Sequence, residues 1–336
     1  DKAIGAMALV EPGTGKVRAL GQSRSMGKEK GESYINYAVP TRCGDSNGFQ
    51  AGSTFKMFTA AAAIEDGIST GRRYSSPQTM SFATGAFKDC DGNGSSPWQG
   101  LKNSTGSGSF DMVRALRQSV NTYFAQLEKE VGLCKTVKMA KKMGIPVVEP
   151  DLENGQPGSY IPSFTLGPVD VSPLHMAAAY ATPAAGGEYC TPAPVAEVLD
   201  RNGKTIKKYE PECKRVMSKA TAAKVNAILV GLQQPGGFGY NRGTGLSIPA
   251  VWYVGYTPEI SAASMIAGIN SKGQPSKLAG AKLRGRVVSY NDAAGSALAG
   301  PQWKAAMGRI EKDLTPAKFD PVAVKVSVLK KVRRND

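Results

Sequence analysis

Hydrophobic positions along the 336-residue chain follow two different periods. The opening run AIGAMALVEPGTGKVRALG alternates around a PGTG tip and predicts a β-hairpin, while VWYVGYTPEISAASMIAGI predicts two apolar strands joined near Pro258. Helical spacing predicts helices between them, in GSTFKMFTAAAAIEDG, DMVRALRQ, TYFAQLEKEVG, SPLHMAAAYATPAAGG and SKATAAKVNAILVGL. Because strands at both ends enclose the helices, we predict an α/β (α+β) fold in which an antiparallel sheet packs against helices.

Residues 68–108 interrupt this pattern. They are rich in Ser, Gly and Pro, a composition typical of turns and loops. We predict that this segment is mostly irregular and lies over the rigid part of the fold.

Two cysteines frame a predicted hairpin excursion at about residues 190–213. Cys190 stands 12 residues before Asn202 and Cys213 stands 10 residues after Gly203, with a strand pattern on each side of this Asn-Gly turn. A disulfide between Cys190 and Cys213 would close the hairpin and indicates an oxidising, extracytoplasmic location. The alternative is a pair of buried free thiols. The pairing of the other three cysteines is left open by the sequence: Cys43, Cys90 and Cys134.

The formal net charge of +15 restricts the choice of partner. Lysines are scattered and the aromatic residues, 7% of the chain, are not interleaved with them, so we predict no nucleic-acid partner. A basic body is suited to an anionic surface or polymer. The cluster VLKKVRRND belongs to a predicted basic C-terminal tail, residues 311–336. No run of about 18 apolar residues occurs and the N-terminus is not a signal peptide, so we expect an anchor to precede Asp1.

The single histidine limits the available chemistry. His175 lies in the helical run SPLHMAAAYA with no acid beside it, which favours a packing or surface role. Without a C-x-x-C pair or a second histidine, the sequence predicts no metal site and no cofactor. An acyl-transfer or hydrolytic enzyme built from this chain needs a base other than histidine, and lysine is the usual substitute.

Ser53 and Lys56 provide such a pair at the start of an apolar helix. Residues three apart on a helix share a face, so the lysine nitrogen can reach the serine oxygen, and burial lowers the pKa of a lysine so that the neutral amine can act as a base. The other reading of Ser53 is a helix cap. The same spacing also occurs at Ser25-x-x-Lys28 and Ser327-x-x-Lys330, in a Gly-rich loop and the charged tail, where nothing desolvates the lysine.

A second candidate element is Ser119-Val120-Asn121, at the break between two predicted helices. Residues two apart on a helix point to different sides, so this element needs a turn to direct both side chains into one cleft. A hydroxyl there can pass a proton and a carboxamide can bind a substrate amide. The other reading is a helix cap, and Ser289-Tyr290-Asn291 matches the pattern beside a short strand.

Five segments in a fixed order resemble the transpeptidase domain of class A (bifunctional) penicillin-binding proteins of the actinobacterial type: GFQAGSTFK, SVNTYF, SFTLGPVDVSPLHMAAAYA, VWYVGYTPEISAA and AGPQWKAAM. The resemblance extends from about residue 4 to residue 308, and we place the domain at residues 1–310. It implies the penicillin-recognising serine transferase fold, an antiparallel sheet sandwiched between helical layers. It also implies D,D-transpeptidation of peptidoglycan stem peptides ending in D-Ala-D-Ala, with β-lactams as inhibitors.

The resemblance assigns a role to each candidate residue. Ser53 is the expected acylated nucleophile and Lys56 its base, Ser119 relays the proton, and Asn121 binds the donor peptide. The family's usual glycosyltransferase domain and membrane anchor would precede Asp1, which implies the extracytoplasmic face of the cell membrane. Alternatives are a D,D-carboxypeptidase, a non-catalytic β-lactam sensor and a plain binding module. A β-lactamase is disfavoured because the sequence suggests no dedicated deacylating carboxylate.

One expected motif is absent. The family's Lys-Thr-Gly motif binds the substrate carboxylate from a strand about ten residues before the counterpart of VWYVGYTP, and no Lys-Thr-Gly occurs in this chain. Arg242-Gly243-Thr244-Gly245 stands near that distance, but Gly243 separates the cation from the threonine. We therefore favour the hypothesis that a segment with the motif is missing between Ala250 and Val251. The alternative is a divergent protein in which Arg242 binds the carboxylate.

Overall fold

Long strands near both ends of the chain enclose helices and short hairpins. The computed structural model describes residues 2–148, 158–230, 249–283, 285–289, 292–314, 317–319 and 322. Its α-helices are α1 (Thr41–Gly44), α2 (Lys56–Glu65), α3 (Met112–Arg117), α4 (Asn121–Val131), α5 (Leu133–Lys142), α6 (Pro173–Ala184), α7 (Lys219–Val230) and α8 (Ala299–Ile310). Short 3-10 turns cover Gly52–Phe55, Phe164–Leu166 and Glu311–Asp313.

The strands are unequal in length. In chain order they are β1 (Ala3–Val10), β2 (Val17–Gln22), β3 (Phe49–Gln50), β4 (Tyr74–Ser76), β5 (Thr79–Phe82), β6 (Trp98–Lys102), β7 (Gly108–Phe110), β8 (Asp170–Val171), β9 (Glu188–Cys190), β10 (Glu197–Leu199), β11 (Thr205–Lys208), β12 (Cys213–Arg215), β13 (Ala250–Tyr256), β14 (Ser261–Ile269), β15 (Pro275–Ser276), β16 (Lys282–Leu283) and β17 (Arg286–Val287).

The central sheet joins the two ends of the chain. Its order is β13-β14-β1-β2, all neighbours are antiparallel, and β15 adds to the end of β14. Strands β1, β13 and β14 are buried along their whole length, which requires cover on both faces of the sheet. This requirement explains their nearly continuous apolar sequences. The antiparallel pairings of β1 with β2 and of β13 with β14 confirm the two hairpins predicted from the sequence.

Helices provide that cover on both sides. Trp252 and Val254 face a core shared with α2, α4, α6 and α7, whereas Val251 and Tyr253 point to the opposite face, under α8. On the α8 side, the Trp303 indole N–H donates to the carbonyl oxygen of Ala262 over 3.0 Å. The alternation of side chains along a strand thus separates the two cores, and the antiparallel sheet between helical layers that the sequence predicted is confirmed.

His175 completes a helix cap. The Ser172 side chain accepts from the His175 backbone N–H, and His175 Nδ1 accepts in turn from the Ser172 N–H, so the two residues form a capping box at the start of α6. Burial, assisted by the nearby Arg42, lowers the pKa of His175 to about 4. The imidazole is therefore neutral at physiological pH, as its acceptor role requires.

The segment 68–108 is more ordered than we expected. It contains two antiparallel hairpin pairings, β4 with β7 and β5 with β6. Phe82 stacks on Trp98 at 5.8 Å between ring centroids, and Phe87 lies against both rings. Most of the segment is turns and loops, as predicted, and the unforeseen strands have only three to five residues, too few to show a period. A small aromatic cluster holds them together.

Two disulfides are present. Cys190 and Cys213 stand directly opposite each other in the β9–β12 pair, and the second bond joins Cys90 to Cys134 at the start of α5, a pair that the sequence left open. Cys43 is exposed and free. The hairpin tip differs from the predicted two-residue turn, because Leu199 pairs with Thr205 and the loop between them is closed by the Asp200 carboxylate.

The last described part of the chain returns to the sheet. After α8, the Phe319 ring packs edge-on against Tyr256 at 5.6 Å between centroids. Most of the predicted basic tail lies outside the described residues. No helix in the described ranges is both long and apolar enough to cross a bilayer.

We expect the Cys190–Cys213 bond to stabilise the fold. Its loop spans 23 residues, for which the loss of chain entropy in the unfolded state corresponds to roughly 3 kcal/mol. The double variant Cys190→Ser/Cys213→Ser should lose about that free energy of unfolding in denaturant titrations, whereas Cys43→Ser should be unchanged. Equal stability of the double variant and the wild type would contradict a stabilising role.

Candidate active site

Ser53 lies on a tight turn that feeds directly into α2. Gly52 and Gly167, both with positive φ, bring two backbones together, and the Gly52 N–H donates to the Gly167 carbonyl oxygen over 3.0 Å. A Cβ on Gly167 would stand 2.2 Å from the Gly52 carbonyl oxygen, so only glycine fits this approach. Ser53 remains half-buried on a turn whose other residues are buried, which leaves its hydroxyl accessible on a rigid support.

Lys56 is completely buried at the start of α2. The next eight residues of this helix are buried as well, so the lysine nitrogen cannot reach bulk water past its own helix. Burial lowers the pKa of Lys56 well below its usual value. The amine therefore loses its proton far more readily than a surface lysine does.

Four oxygen atoms surround the lysine nitrogen. Nζ lies 3.0 Å from Ser53 Oγ, 2.8 Å from Ser119 Oγ, 2.7 Å from the Ser119 carbonyl oxygen and 2.7 Å from Asn121 Oδ1. The ring of Phe124 closes the site, with its centroid 5.7 Å from Nζ. The structure thus brings together all four residues that the sequence proposed for the site.

Ser119 reaches Lys56 twice because its backbone is strained. Its φ is +51°, one of two positive values at non-glycine residues in the described part of the chain. The strain occurs between the end of α3 and the start of α4, where the Val120 N–H bonds back to the Ala115 carbonyl oxygen. This conformation costs roughly 1–3 kcal/mol and directs both the hydroxyl and the carbonyl of Ser119 at one nitrogen.

The amide of Asn121 has one possible orientation. Its Nδ2 donates over 2.8 Å to the Lys102 carbonyl oxygen, which can only accept. Oδ1 must therefore be the atom that faces Lys56. The main-chain carbonyl of Lys102, at the end of β6, is a member of the site that side-chain motifs could not reveal.

The hydrogen-bond partners of Lys56 Nζ determine which proton transfers its amine can make. The Ser119 carbonyl oxygen and Asn121 Oδ1 can only accept, so they occupy two N–H bonds of Lys56. A neutral amine has two N–H bonds and one lone pair, and the lone pair is then left for the Ser53 and Ser119 hydroxyls. The arrangement can take a proton from Ser53 and return one through Ser119.

The sheet edge nearest this site is β13. Trp252 Nε1 donates over 2.8 Å to the carbonyl oxygen of Gln50, three residues before Ser53, and among the described strands β13 pairs only with β14. Residues 242–245, our alternative to the third motif, lie outside the described residues.

Ala250 and Val251 are neighbours in one strand that pairs with Ala267 and Ile266 without a register shift. The hypothesis that a segment with the third motif is missing between them stays a prediction.

Comparison with known proteins agrees with this geometry. Residues 5–289 match the family described as penicillin binding protein transpeptidase domain. Penicillin-binding protein 1A of Mycobacterium tuberculosis is 28% identical over 290 aligned positions, covering 77% of this chain and 32% of that protein. The solved structure of penicillin-binding protein PonA1 from M. tuberculosis has a TM-score of 0.72 at 24% identity, covering 98% of this chain and 86% of that chain. M. tuberculosis penicillin-binding protein A, solved as a ceftriaxone acyl-enzyme complex, has a TM-score of 0.65 at 21% identity, covering 90% and 73%.

The chain belongs to the penicillin-binding protein transpeptidase family, because the family match covers most of its length. This is a family of serine acyltransferases. The chain spans about a third or less of the length of the curated relatives it matches. In the described ranges, no group of three potential metal ligands comes together.

Lys56→Ala should slow acylation by a β-lactam by ~10²–10⁴-fold, because a general base contributes about that factor. The rate is followed as covalent labelling of Ser53. Lys138→Ala removes an exposed lysine from α5 and serves as the matched control, with an unchanged rate expected. If Lys56→Ala is acylated at the wild-type rate, Lys56 is only a structural residue.

Asn121→Asp should move the pH dependence of acylation. The change places a carboxylate 2.7 Å from Lys56 Nζ, which favours the ammonium form and raises the pKa of Lys56. Because acylation needs the neutral amine, the rate should fall at neutral pH and the acid limb should move upward by about 1–3 pH units. Asn202→Asp, at the exposed hairpin tip, should leave the profile unchanged. A profile of Asn121→Asp that coincides with the wild type would contradict this geometry.

Proposed function

We propose that this chain is a D,D-transpeptidase domain that cross-links peptidoglycan stem peptides through a Ser53 acyl-enzyme. The observation that supports it most strongly is the fully buried Lys56 amine in contact with Ser53, Ser119 and Asn121. Membership of the transpeptidase family supplies the reaction class. The substrate is a stem peptide ending in D-Ala-D-Ala, and β-lactams are mimics that acylate the same serine.

Acylation begins with the neutral amine of Lys56. It accepts the Ser53 Oγ proton over 3.0 Å, and Oγ forms an ester bond with the carbonyl carbon of the penultimate D-Ala. As the peptide C–N bond breaks, the departing D-Ala nitrogen takes the proton of the Ser119 hydroxyl. The Lys56 ammonium, 2.8 Å from Ser119 Oγ, replaces that proton and becomes neutral again.

Transfer to the acceptor reverses these proton movements. The amine of a second stem peptide attacks the ester carbonyl and gives a proton to Ser119, which passes one to Lys56. The C–O bond to Ser53 then breaks, and the serine oxygen recovers its proton from the lysine. Asn121, half-exposed at the start of α4, is placed to bind the donor peptide while its Oδ1 holds Lys56.

A non-catalytic β-lactam sensor or binding module is the second candidate. The absence of Lys-Thr-Gly from the sequence favours it, because a chain that cannot bind the substrate carboxylate can still be acylated by a strained lactam. A D,D-carboxypeptidase would use the same acyl-enzyme with water as the acceptor. The identity of the second nucleophile separates these alternatives.

The proposed setting follows from the family. We propose that the domain works on the extracytoplasmic face of the cell membrane, attached to a glycosyltransferase domain and an anchor outside this chain. The two disulfides fit an oxidising compartment. The formal charge of +15 suits anionic lipid and wall polymers.

Intact-protein mass spectrometry tests the function directly. The protein is incubated with a β-lactam, and separately with a D-Ala-D-Ala thioester analogue with and without an acceptor amine. A transpeptidase should form a covalent adduct on Ser53 and release an amide product when the amine is present. Ser53→Ala should form no adduct, whereas Ser25→Ala, which alters another Ser-x-x-Lys match, should react normally.

The other outcomes are equally informative. A β-lactam adduct that maps to a residue other than Ser53 would contradict the assignment of Ser53 as the nucleophile. A stable adduct that gives no amide product supports the sensor, and a hydrolysed product that is independent of the amine supports the carboxypeptidase.

A further inference from the structure

Asn103 is a buried polar residue outside every motif discussed so far. It directly follows β6 and opens the loop between β6 and β7, and only 4% of its surface is exposed. Its backbone N–H donates to the Gln78 carbonyl oxygen over 3.0 Å, and its own carbonyl oxygen accepts from Gln78 Nε2 over 2.6 Å. Both sides of its main chain are thus fixed to the turn between β4 and β5.

The side chain of Asn103 uses its full hydrogen-bonding capacity. Nδ2 donates to the carbonyl oxygens of Pro77 and Gly106 over 3.0 and 2.9 Å. Because both partners can only accept, they take both amide protons. Oδ1 is then left to accept from the Thr122 backbone N–H at 2.9 Å. The Thr122 hydroxyl oxygen lies 2.9 Å from Nδ2 and 3.2 Å from Oδ1 of Asn103, and the Pro77 carbonyl oxygen, at 3.1 Å, is a further acceptor for its proton.

Asn103 caps α4 from a distant part of the chain. Val120 occupies the N-cap position of this helix and has no polar side chain to satisfy the first N–H groups. The Thr122 N–H is one of these groups, and Asn103 Oδ1 accepts it. The position of the start of α4, and hence of Asn121, depends on a residue 19 positions earlier.

Two consecutive residues of one segment therefore hold two consecutive residues of the other. The Lys102 carbonyl oxygen holds Asn121 Nδ2, and the neighbouring Asn103 side chain holds Thr122. Asn121 in turn presents Oδ1 to Lys56 Nζ at 2.7 Å. If the Asn103 side chain is lost, the start of α4 loses its attachment to this segment, and the Lys102 carbonyl alone is left to orient the Asn121 amide.

We propose that Asn103 is a positioning residue for acylation, which acts through Asn121 on the Lys56 amine. This inference rests on the proposed function of the site. Asn103 touches neither Ser53 nor Lys56, and its contribution is to keep the Asn121 oxygen directed at Nζ so that the lone pair faces the serine hydroxyls. Misplacement of a group that supports the base lowers the rate because the lone pair then samples other directions.

A double-mutant cycle tests this coupling. The second-order rate constant for acylation of Ser53 by a β-lactam is measured for the wild type, Asn103→Ala, Asn121→Ala and the double variant. Asn103→Ala should be slower by roughly 10- to 100-fold, and the same change should have little further effect in the Asn121→Ala background. Unfolding in denaturant is followed in parallel, and its destabilisation by Asn103→Ala should persist in both backgrounds.

Asn226→Ala is the matched control. Asn226 is also a buried asparagine whose Nδ2 donates to a proline carbonyl oxygen, that of Pro183, and whose Oδ1 accepts from Tyr256. It should lose stability and keep the wild-type acylation rate. Should Asn103→Ala fail to fold, Thr122→Val removes the hydroxyl that bonds Asn103 and should also slow acylation.

The results separate this inference from the proposed function. If the wild type is acylated on Ser53 but Asn103→Ala reacts as fast as Asn226→Ala, Asn103 is only structural and the inference is overturned. Effects of Asn103→Ala and Asn121→Ala that multiply in the double variant overturn it as well. A wild type that no β-lactam acylates overturns the proposed function first, and the inference falls with it.

Discussion

Burial of the Lys56 amine, with no carboxylate partner among the described residues, is the constraint on which the site depends. A charged ammonium in this position would carry a large desolvation cost, and the protein avoids that cost because the group is readily neutral. The neighbours of Nζ are dipoles, namely hydroxyl, carbonyl and amide oxygens. They orient the nitrogen without fixing a positive charge as a carboxylate would. The strained backbone of Ser119 and the locked amide of Asn121 have a common effect, which is to leave the lone pair for the serines.

Burial also favours the uncharged form of an acidic side chain in the same helical layer. Glu128, on α4, is completely buried, and burial raises the pKa of its carboxyl group well above the usual value. Desolvation therefore acts in opposite directions on a base and an acid of one interior, and both groups favour their uncharged forms. Acidic side chains that do pair with cations lie at the surface, as Glu130 does with Arg72. The neutral groups around Nζ leave the lysine able to accept a proton from Ser53.

Sequence reasoning recovered the parts of this arrangement that are local. The apolar helix behind Lys56 indicates desolvation, and the break between two helical patterns indicates the turn at Ser119. The long-range parts carry no such signal. Every residue has a main-chain carbonyl, so the sequence does not show that the one of Lys102 binds Asn121. Asn103 in NSTGSG likewise resembles any loop asparagine until its contacts with Thr122 are known. The close approach of Gly52 and Gly167 likewise joins segments more than a hundred residues apart. The short strands of residues 68–108 depend on an aromatic cluster rather than on a period.

The protonation state of Lys56 in the free protein is the most direct test of this account. The side-chain carbon resonance beside Nζ can be followed by NMR in lysine-labelled protein as a function of pH, with Lys56→Met supplying the assignment. Our account predicts a titration midpoint well below the ordinary lysine value of 10.5. A midpoint for Lys56 at or above 10.5 would contradict it, because the amine would then be charged when Ser53 has to lose its proton.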